Sequence, residues 1–498
     1  MATNLADVVS ESAQQVPARV AVIDGERRIT FAGLDDRITA FAAGLSSCGV
    51  KPGSRVFLML GNRLEFVIAF YSVLRAGAVA VPINPRCTSA ELEYMVGEVG
   101  GRLLISEHEC SNVIAGADLA GCVTIAAGGS QWEAMESLGD PKLLPSETDA
   151  ASPAVLMFVA GYEGHPKAAV LSHGSLMANI TALQGLPDPV PVLEQDVSLA
   201  VLPLFHIYSL NAVLGLSLAV GATVVLSQRF YPRQAIDLIE QHRVTVVAGA
   251  PPMYVAWSAE FDLRESLATV RLLMSGGAPL PSELYAQFPT MAGQPIWEGY
   301  GLTECSPVVA TSLVAGMPRE GSVGKPLPGV EVQIVVEGRT PDEPEAESEE
   351  SEVGQIWIRG TSLFSGYWSD GAAEPDPQRW FATGDHGYID DDGFLYIVSD
   401  RNDLILVSGF NVYSREVERV VHELSGVADC CVVGVPHPLT GQAVKVYVVP
   451  GPGGPVSTET VLSWCESQLS RYKCPTIIEV VPELPRQSHA ELGGEHHR

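Results

Sequence analysis

From Val20 to Val335 the chain alternates short apolar runs with longer amphipathic segments, and this alternation restricts the fold more than any other feature. Arg55–Leu60 (RVFLML) reads as a buried strand, Glu65–Ala76 as a helix and Ala78–Pro82 as the next strand. The pattern recurs at the strand Thr223–Leu226, the helix Pro232–His242 and the strands Val244–Ala248 and Leu272–Met274. Strands separated by helices of this length pair mainly in parallel, and a parallel sheet needs helices over its faces. The expected class is therefore α/β, with mainly parallel sheets covered by helices.

Two changes of composition divide the rest. Glu337–Glu352 (EGRTPDEPEAESEESE) carries eight acidic residues against one arginine, the pattern of a solvated loop between strands. Beyond it, Gln355–Arg359, Gly393–Val398 and Leu404–Val407 read as short strands joined by turns, and the large N-terminal domain is expected to include a β-rich subdomain. Near Asp400 the pattern becomes a compact α+β unit, with helices at Ser414–Glu423 and Thr458–Leu469. Strands are expected there at Cys430–Val435, Val444–Val449 and Ile477–Val481. The expected domains are residues 1–399 and 400–498, hinged at Asp400.

With 30 Lys plus Arg against 59 Asp plus Glu, the 498 residues carry a net charge of −29. Nucleic acids and anionic membranes require a basic surface, so neither is an expected partner. Anionic ligands must be held by local cations, amides or helix ends. Met1–Gln15 lacks a basic region followed by an apolar core, so no secretory signal is expected. Leu210–Leu226 approaches membrane-spanning length, but Asn211, Ser217, Gly221 and Thr223 interrupt it; a buried helix running into a strand is expected instead. The nine cysteines include no CxxC pair, and Cys430 and Cys431 are adjacent, which suits reduced cysteines in a cytoplasmic protein.

Chemistry concentrates in a few segments. Phe158–His173 (FVAGYEGHPKAAVLSH) places Gly161, Gly164 and Lys167 after an apolar strand, Ala154–Phe158. Glycines let backbone amides approach a phosphate and a lysine adds a point charge, but the ending of a Walker loop is missing. Then follow LPLFHI at Leu202, SGGAPL at Ser275, EGYGLTE at Glu298, WFATGDHGY at Trp380, SDRND at Ser399 and VSGFNVYSREVE at Val407.

In this order, these segments resemble the adenylate-forming superfamily, specifically its acyl-CoA synthetases, over nearly the whole chain. The resemblance implies activation of a carboxylate by ATP to an acyl-adenylate, rotation of a small C-terminal domain, and transfer of the acyl group to CoA. It places Gly277, Ala278, Pro279, Tyr300 and Gly301 around the adenine, with Tyr300 stacked on it. Thr303 would contact the α-phosphate, Glu304 would hold magnesium, and Asp385 and Arg401 would bind ribose hydroxyls. Asp400 matches the hinge, Gly409 the loop lining the pantetheine channel, and His206 the gate between the acyl pocket and the nucleotide. His206, Gly277, Tyr300, Gly301 and Leu302 would border the acyl group. Taken alone, His206 also reads as a hydrogen-bonded core histidine, Glu304 as a helix cap, Asp385 as a turn terminator and Tyr300 as core.

Two segments depart from the family pattern. The phosphate loop usually reads Thr-Ser-Gly-Thr-Thr-Gly-x-Pro-Lys-Gly; here it is Val159-Ala160-Gly161-Tyr162-Glu163-Gly164-His165-Pro166-Lys167-Ala168. Lys167 is retained while Val159, Ala160, Tyr162 and Glu163 replace small hydroxyl residues. Near the C-terminus, Glu491 stands where the family has the adenylation lysine. Losing a cation at about 4 Å from a phosphate forfeits roughly 4 kcal/mol at an effective dielectric near 20. That corresponds to on the order of three decades in rate.

The expectation is a non-adenylating acyl-CoA ligase homologue, which transfers the acyl group of a preformed acyl-adenylate to CoA and releases AMP. ATP and magnesium use is doubtful on this reading, and a separate adenylating enzyme supplies the substrate. Such a split arrangement resembles the paired ligases of platensimycin- and platencin-type diterpenoid biosynthesis. Two alternatives stay open. One is a complete synthetase in which Arg486 or Lys473 replaces the missing lysine; the other is an inactive ligand-binding or scaffold protein. Val201–Leu210, Gly249–Val255 and Gly299–Val309 are apolar, favouring a hydrophobic acid over an amino acid and leaving fatty, aromatic and terpenoid acids open.

Overall fold

The computed structural model describes residues 3–145, 148–159, 165–260, 262–336, 338–341, 353–371, 376–398, 404–407, 410–437, 440–451, 456–482 and 484. Three sheets organise them. In the first, Val123–Ala126, Leu103–Ser106, Arg55–Met59, Val79–Pro82 and Pro153–Val159 run parallel, and Lys167–Ser172 closes the edge antiparallel. The strands on either side of the glycine-bearing segment pair antiparallel, the last pair being Val159 with Lys167.

The second sheet has thirteen strands among the described residues. Six run parallel at its centre, from Ile296–Gly301 through Leu272–Ser275, Val246–Gly249, Val197–Ala200 and Thr223–Leu226 to Val20–Asp24. On the Ile296–Gly301 side the sheet continues antiparallel into Val308–Thr311, Ser322–Pro326, Leu395–Val398, Phe381–Ile389, Gly354–Gly360 and Val330–Val335. This is the mixed α/β arrangement the alternation implies. Val246–Gly249 is buried throughout, and the helix Pro232–His242 covers its sheet with Ala235, Ile236 and Ile239.

Two expectations shift in detail. The strand expected from Val244 begins at Val246; at Thr245 the backbone N–H donates to the Val197 carbonyl at 2.8 Å, while the Val197 N–H turns to the Thr245 hydroxyl at 2.9 Å, so only half of that pairing runs through the backbone. The Leu210–Leu226 segment is a helix running into a strand, but Tyr208–Gly215 winds as a π-helix before the α-turn Leu216–Ala219. Among the described residues no helix is long and apolar enough to cross a membrane.

The third sheet orders Phe410–Tyr413, Leu404–Val407, Gly441–Pro450 and Val427–His437, with Ile477–Val480 parallel to Gly441–Pro450. The helices Ser414–His422 and Thr458–Gln468 bury Val417, Val421, Val461 and Cys465 against Ile405, Val432 and Val446, giving this unit its own core. Of the acidic loop Glu337–Glu352, only 338–341 is described, and the expected hinge Asp400 lies outside the described residues.

Candidate functional site

The C-terminal ends of the first two sheets meet at Asn62, which follows the strand Arg55–Met59. Its amide donates to the carbonyls of Ala200 at 3.0 Å and Leu202 at 2.8 Å, while its oxygen accepts the Leu204 N–H at 2.8 Å. Asn62 is 2% exposed, so all three bonds form away from bulk water. They fix the Leu202–His206 turn. Ser209 Oγ, donating to the Leu202 carbonyl at 2.7 Å, holds it from the other side.

His206 is exposed to solvent, with the Phe205 ring 4.9 Å away. The protein mass packed around it desolvates the imidazole and pushes it below the ordinary histidine value. A sealed core histidine is therefore excluded.

Register in the second sheet sets Ser275 beside Glu298, so the Gly276–Pro279 turn lies next to Gly299 and Tyr300. Gly277 has φ +80°, and no atom lies within 4 Å of where its Cβ would be, leaving the turn open on that side. Glu298 is buried beneath the turn and accepts the Leu280 N–H at 3.2 Å; burial pushes its carboxyl up to about 7.

The segment after Tyr300 depends on a close backbone approach. A Cβ at Gly301 would lie 2.2 Å from the Pro307 carbonyl oxygen. The following turn, Thr303–Cys305, is held by two buried asparagines. Asn179 donates to Cys305 and Val308 carbonyls at 3.3 and 2.9 Å, and Asn211 donates to the Ser306 carbonyl at 2.6 Å. Tyr300 donates its phenol O–H to Asp385 Oδ2 at 2.6 Å, and burial together with that carboxylate raises the phenol well above its ordinary value.

Glu304 accepts a hydrogen bond at Oε1 from the Tyr367 phenol at 2.7 Å. The Tyr367 ring lies 5.4 Å from Lys167 Nζ, which in turn pairs with Asp370 at 3.3 Å. The retained lysine of the phosphate loop and the expected magnesium ligand thus border one aromatic side chain. No group of three or more metal-ligating side chains occurs among the described residues. Magnesium commonly takes one or two protein carboxylates and completes its shell with phosphate and water oxygens, so Glu304 alone is a sufficient protein donor.

From the C-terminal unit, the Phe410 ring reaches to 5.9 Å from His206. Tyr472 stacks on Phe410 at 4.7 Å.

The described structure therefore sets Gly277, Ala278, Pro279, Tyr300, Gly301, Leu302, Thr303 and Glu304 on adjoining strand ends and turns, with Asp385 joined to Tyr300 from within the Phe381–Ile389 strand, His206 on the turn bracketed by Asn62, and Val159 and Lys167 on the strands flanking the phosphate loop. Ala160, Tyr162, Glu163, Asp400, Arg401, Gly409 and Glu491 lie outside the described residues, as does Arg486. Lys473, the other candidate for a substitute cation, is already engaged by Glu91 and Glu416 at 2.8 Å each. The readings of Glu304 as a helix cap and Asp385 as a turn terminator give way to the phenol each carboxylate binds. Asn62, Tyr367 and Phe410 stand outside the site residues that the sequence indicates. Tyr367 carries a local signal in the Gly366-Tyr367-Trp368 run, whereas a lone asparagine after a strand carries none.

Two family patterns match the chain: AMP-binding enzyme over residues 9–368 and AMP-binding enzyme C-terminal domain over residues 416–490. A feruloyl-CoA synthase from Amycolatopsis sp is 32% identical over 484 residues, spanning 96% of this chain and 95% of that protein. A double mutant of o-succinylbenzoate CoA synthetase from Bacillus subtilis, bound to its product analogue OSB-NCoA, aligns with TM-score 0.83 and 29% identity, covering 97% of this chain and 95% of that one. The same synthetase with the acyl-adenylate intermediate OSB-AMP aligns at 0.70 with 29% identity, covering 96% and 95%. ATP-bound MatB from Rhodopseudomonas palustris aligns at 0.73 with 27% identity, covering 98% and 97%.

Proposed function

The chain belongs to the AMP-binding enzyme family, as an acyl-CoA ligase, and from that premise we propose that it performs the second half-reaction, moving the acyl group of a preformed acyl-adenylate onto CoA. The thiolate sulfur of CoA attacks the carbonyl carbon of the mixed anhydride, a C–S bond forms, and the C–O bond to the phosphate breaks. AMP leaves, and the thiol proton passes to solvent. No enzyme nucleophile is required. Among the described residues the cysteines are free and, apart from Cys48 and Cys431, buried.

Each site residue then has a physical task. Tyr300 offers a ring face to the adenine, with Gly277, Ala278, Pro279 and Gly301 leaving it room. Asp385 and Arg401 take ribose hydroxyls, Thr303 the α-phosphate, and Leu302 borders the acyl chain. A neutral His206 separates the acyl pocket from the nucleotide. Gly409 lines the pantetheine channel, and Asp400 is the hinge between residues 1–399 and 400–498. Fixed hydrogen-bond donors around the phosphate favour the charge that develops as AMP departs.

The observation that carries the finer reading is Glu491, a carboxylate at the family's lysine position. Val159, Ala160 and Tyr162 support it by removing hydroxyls from the phosphate loop. The Phe410 ring 5.9 Å from His206 and the higher TM-score with the CoA-product-analogue complex, 0.83, than with the acyl-adenylate complex of the same synthetase, 0.70, support acyl transfer to CoA, a step common to both readings. On this reading a separate adenylating enzyme supplies the acyl-adenylate.

A second reading, a complete ATP-dependent synthetase, is favoured by the retained Lys167 beside Tyr367 and by the fit of Glu304 to magnesium. If magnesium binds, Glu304 holds it, and the ion supplies charge neutralisation at the phosphates. One pair of assays separates the readings. We expect no exchange of labelled pyrophosphate into ATP with carboxylic acid and magnesium, and thioester formation from synthetic acyl-adenylate plus CoA. Robust exchange establishes the second reading. No thioester from acyl-adenylates that span fatty, aromatic and terpenoid acids leaves a ligand-binding protein.

A further inference from the structure

Lys473 stands at the seam between the C-terminal unit and the helix Ser89–Val99 of the larger part. Its ammonium lies 2.8 Å from Glu91 Oε1 and 2.8 Å from Glu416 Oε1, and the three side chains are 12%, 12% and 7% exposed. Ser470 donates to Glu91 Oε2 at 2.6 Å, and Thr88 donates its hydroxyl to the Gln468 carbonyl at 3.2 Å. Burial alone lowers the lysine, but Tyr472, Glu416 and Glu91 outweigh it and hold the ammonium well above its ordinary value.

The two carboxylates have different attachments. Glu416 lies in the first turn of the helix Ser414–His422 and belongs to the same unit as Lys473. Glu91 belongs to the other unit and closes the capping box of its own helix by accepting the Thr88 N–H at 2.8 Å. If the units separate, Lys473 keeps Glu416, and Glu91 keeps its cap and becomes hydrated. Breaking the contact therefore strands no buried charge, which is the usual cost of opening a buried ion pair. Such a contact is strong when made and reversible when released.

Tyr472, the neighbour of Lys473, stacks on Phe410, which faces His206. We propose that Glu91, Lys473 and Glu416 form a releasable clamp that holds the C-terminal unit with Phe410 against His206, which makes them positioning residues for acyl transfer. The positioning role rests on the functional reading above; the clamp itself does not.

The test uses the full chain with spin labels at the exposed Cys48 and at an introduced Ser467→Cys, with Cys431→Ser to prevent competing reaction. Glu91→Gln preserves the capping box but removes the charge. It is expected to raise the population outside the starting distance distribution by about tenfold, the scale of a lost charge-assisted bond. It should lower kcat for thioester formation from supplied acyl-adenylate by about tenfold, with KM for the adenylate within about twofold. Ser470→Ala, which removes only a hydroxyl donor, should move both readouts the same way by about threefold. An unchanged distance distribution in Glu91→Gln overturns the clamp, whatever happens to kcat. A shifted distribution in a protein that forms no thioester supports the clamp and overturns the functional reading instead.

Discussion

Tyr300 and Asp385, 85 residues apart, share a 2.6 Å hydrogen bond that ties the Ile296–Gly301 strand to the Phe381–Ile389 strand across the antiparallel wing of the large sheet. The bond fixes the plane of the ring proposed to take the adenine. Tyr300→Phe keeps the ring and loses the tether. We expect the Kd for AMP to rise by roughly 10-fold, in line with about 1.5–3 kcal/mol for a hydrogen bond to a charged group. Tyr300→Ala also loses the stacking face and should weaken AMP further. Calorimetric titration of both variants checks the order; equal affinities would remove the ring from the nucleotide site.

His173 is 1% exposed, and its Nδ1 accepts the Leu5 N–H at 3.0 Å, so that nitrogen carries no proton. Burial pushes the group from 6.5 down to about 4. Between these values the unfolded chain binds the extra proton, so stability falls as pH drops from about 6.5 towards 4, by roughly 3 kcal/mol at the limit. His173→Gln supplies an acceptor that does not titrate. Urea unfolding between pH 4.5 and 7 should show a shallower loss in the variant, by close to one proton; parallel curves would contradict the assignment.

Glu298 has the opposite sign. Its folded value is raised from 4.5 to about 7 by burial, so its protonated form is favoured by folding. The associated stability is full below about 4.5 and is lost as pH rises through 7, again roughly 3 kcal/mol at the limit. Glu298→Gln retains an oxygen for the Leu280 N–H and cannot ionise. It should match the wild type at pH 5 and be the more stable protein at pH 8, as read from Tm at both pH values.

Glu491→Lys restores the family's cation but leaves Val159, Ala160 and Tyr162 in the phosphate loop. We expect pyrophosphate exchange in this variant to stay far below that of a complete synthetase, because the hydroxyls that would wrap the β- and γ-phosphates remain absent. Full exchange from the single change would mean that the loop residues matter little.

Much of this molecule was legible in one dimension. The strands Thr223–Leu226 and Leu404–Val407 and the helix Pro232–His242 lie where the apolar pattern placed them, because a run of buried residues has few other ways to satisfy its backbone. Ordered segments such as SGGAPL and EGYGLTE pointed to the family because closely approaching backbones and ligand-facing turns need particular residues at set spacing. Gly301 against the Pro307 carbonyl is one such place.

Tertiary structure alone decided which side chains meet across long separations. Nothing local marks Asn62 as the bracket of the His206 turn, Tyr367 as the partner of Glu304, or Glu91 as the counter-charge of Lys473, 382 residues away. Sequence periodicity reports which face of an element is buried, since that depends on neighbours within a turn or two. A polar contact between distant elements depends on the docking of whole sheets, and no short-range pattern encodes it.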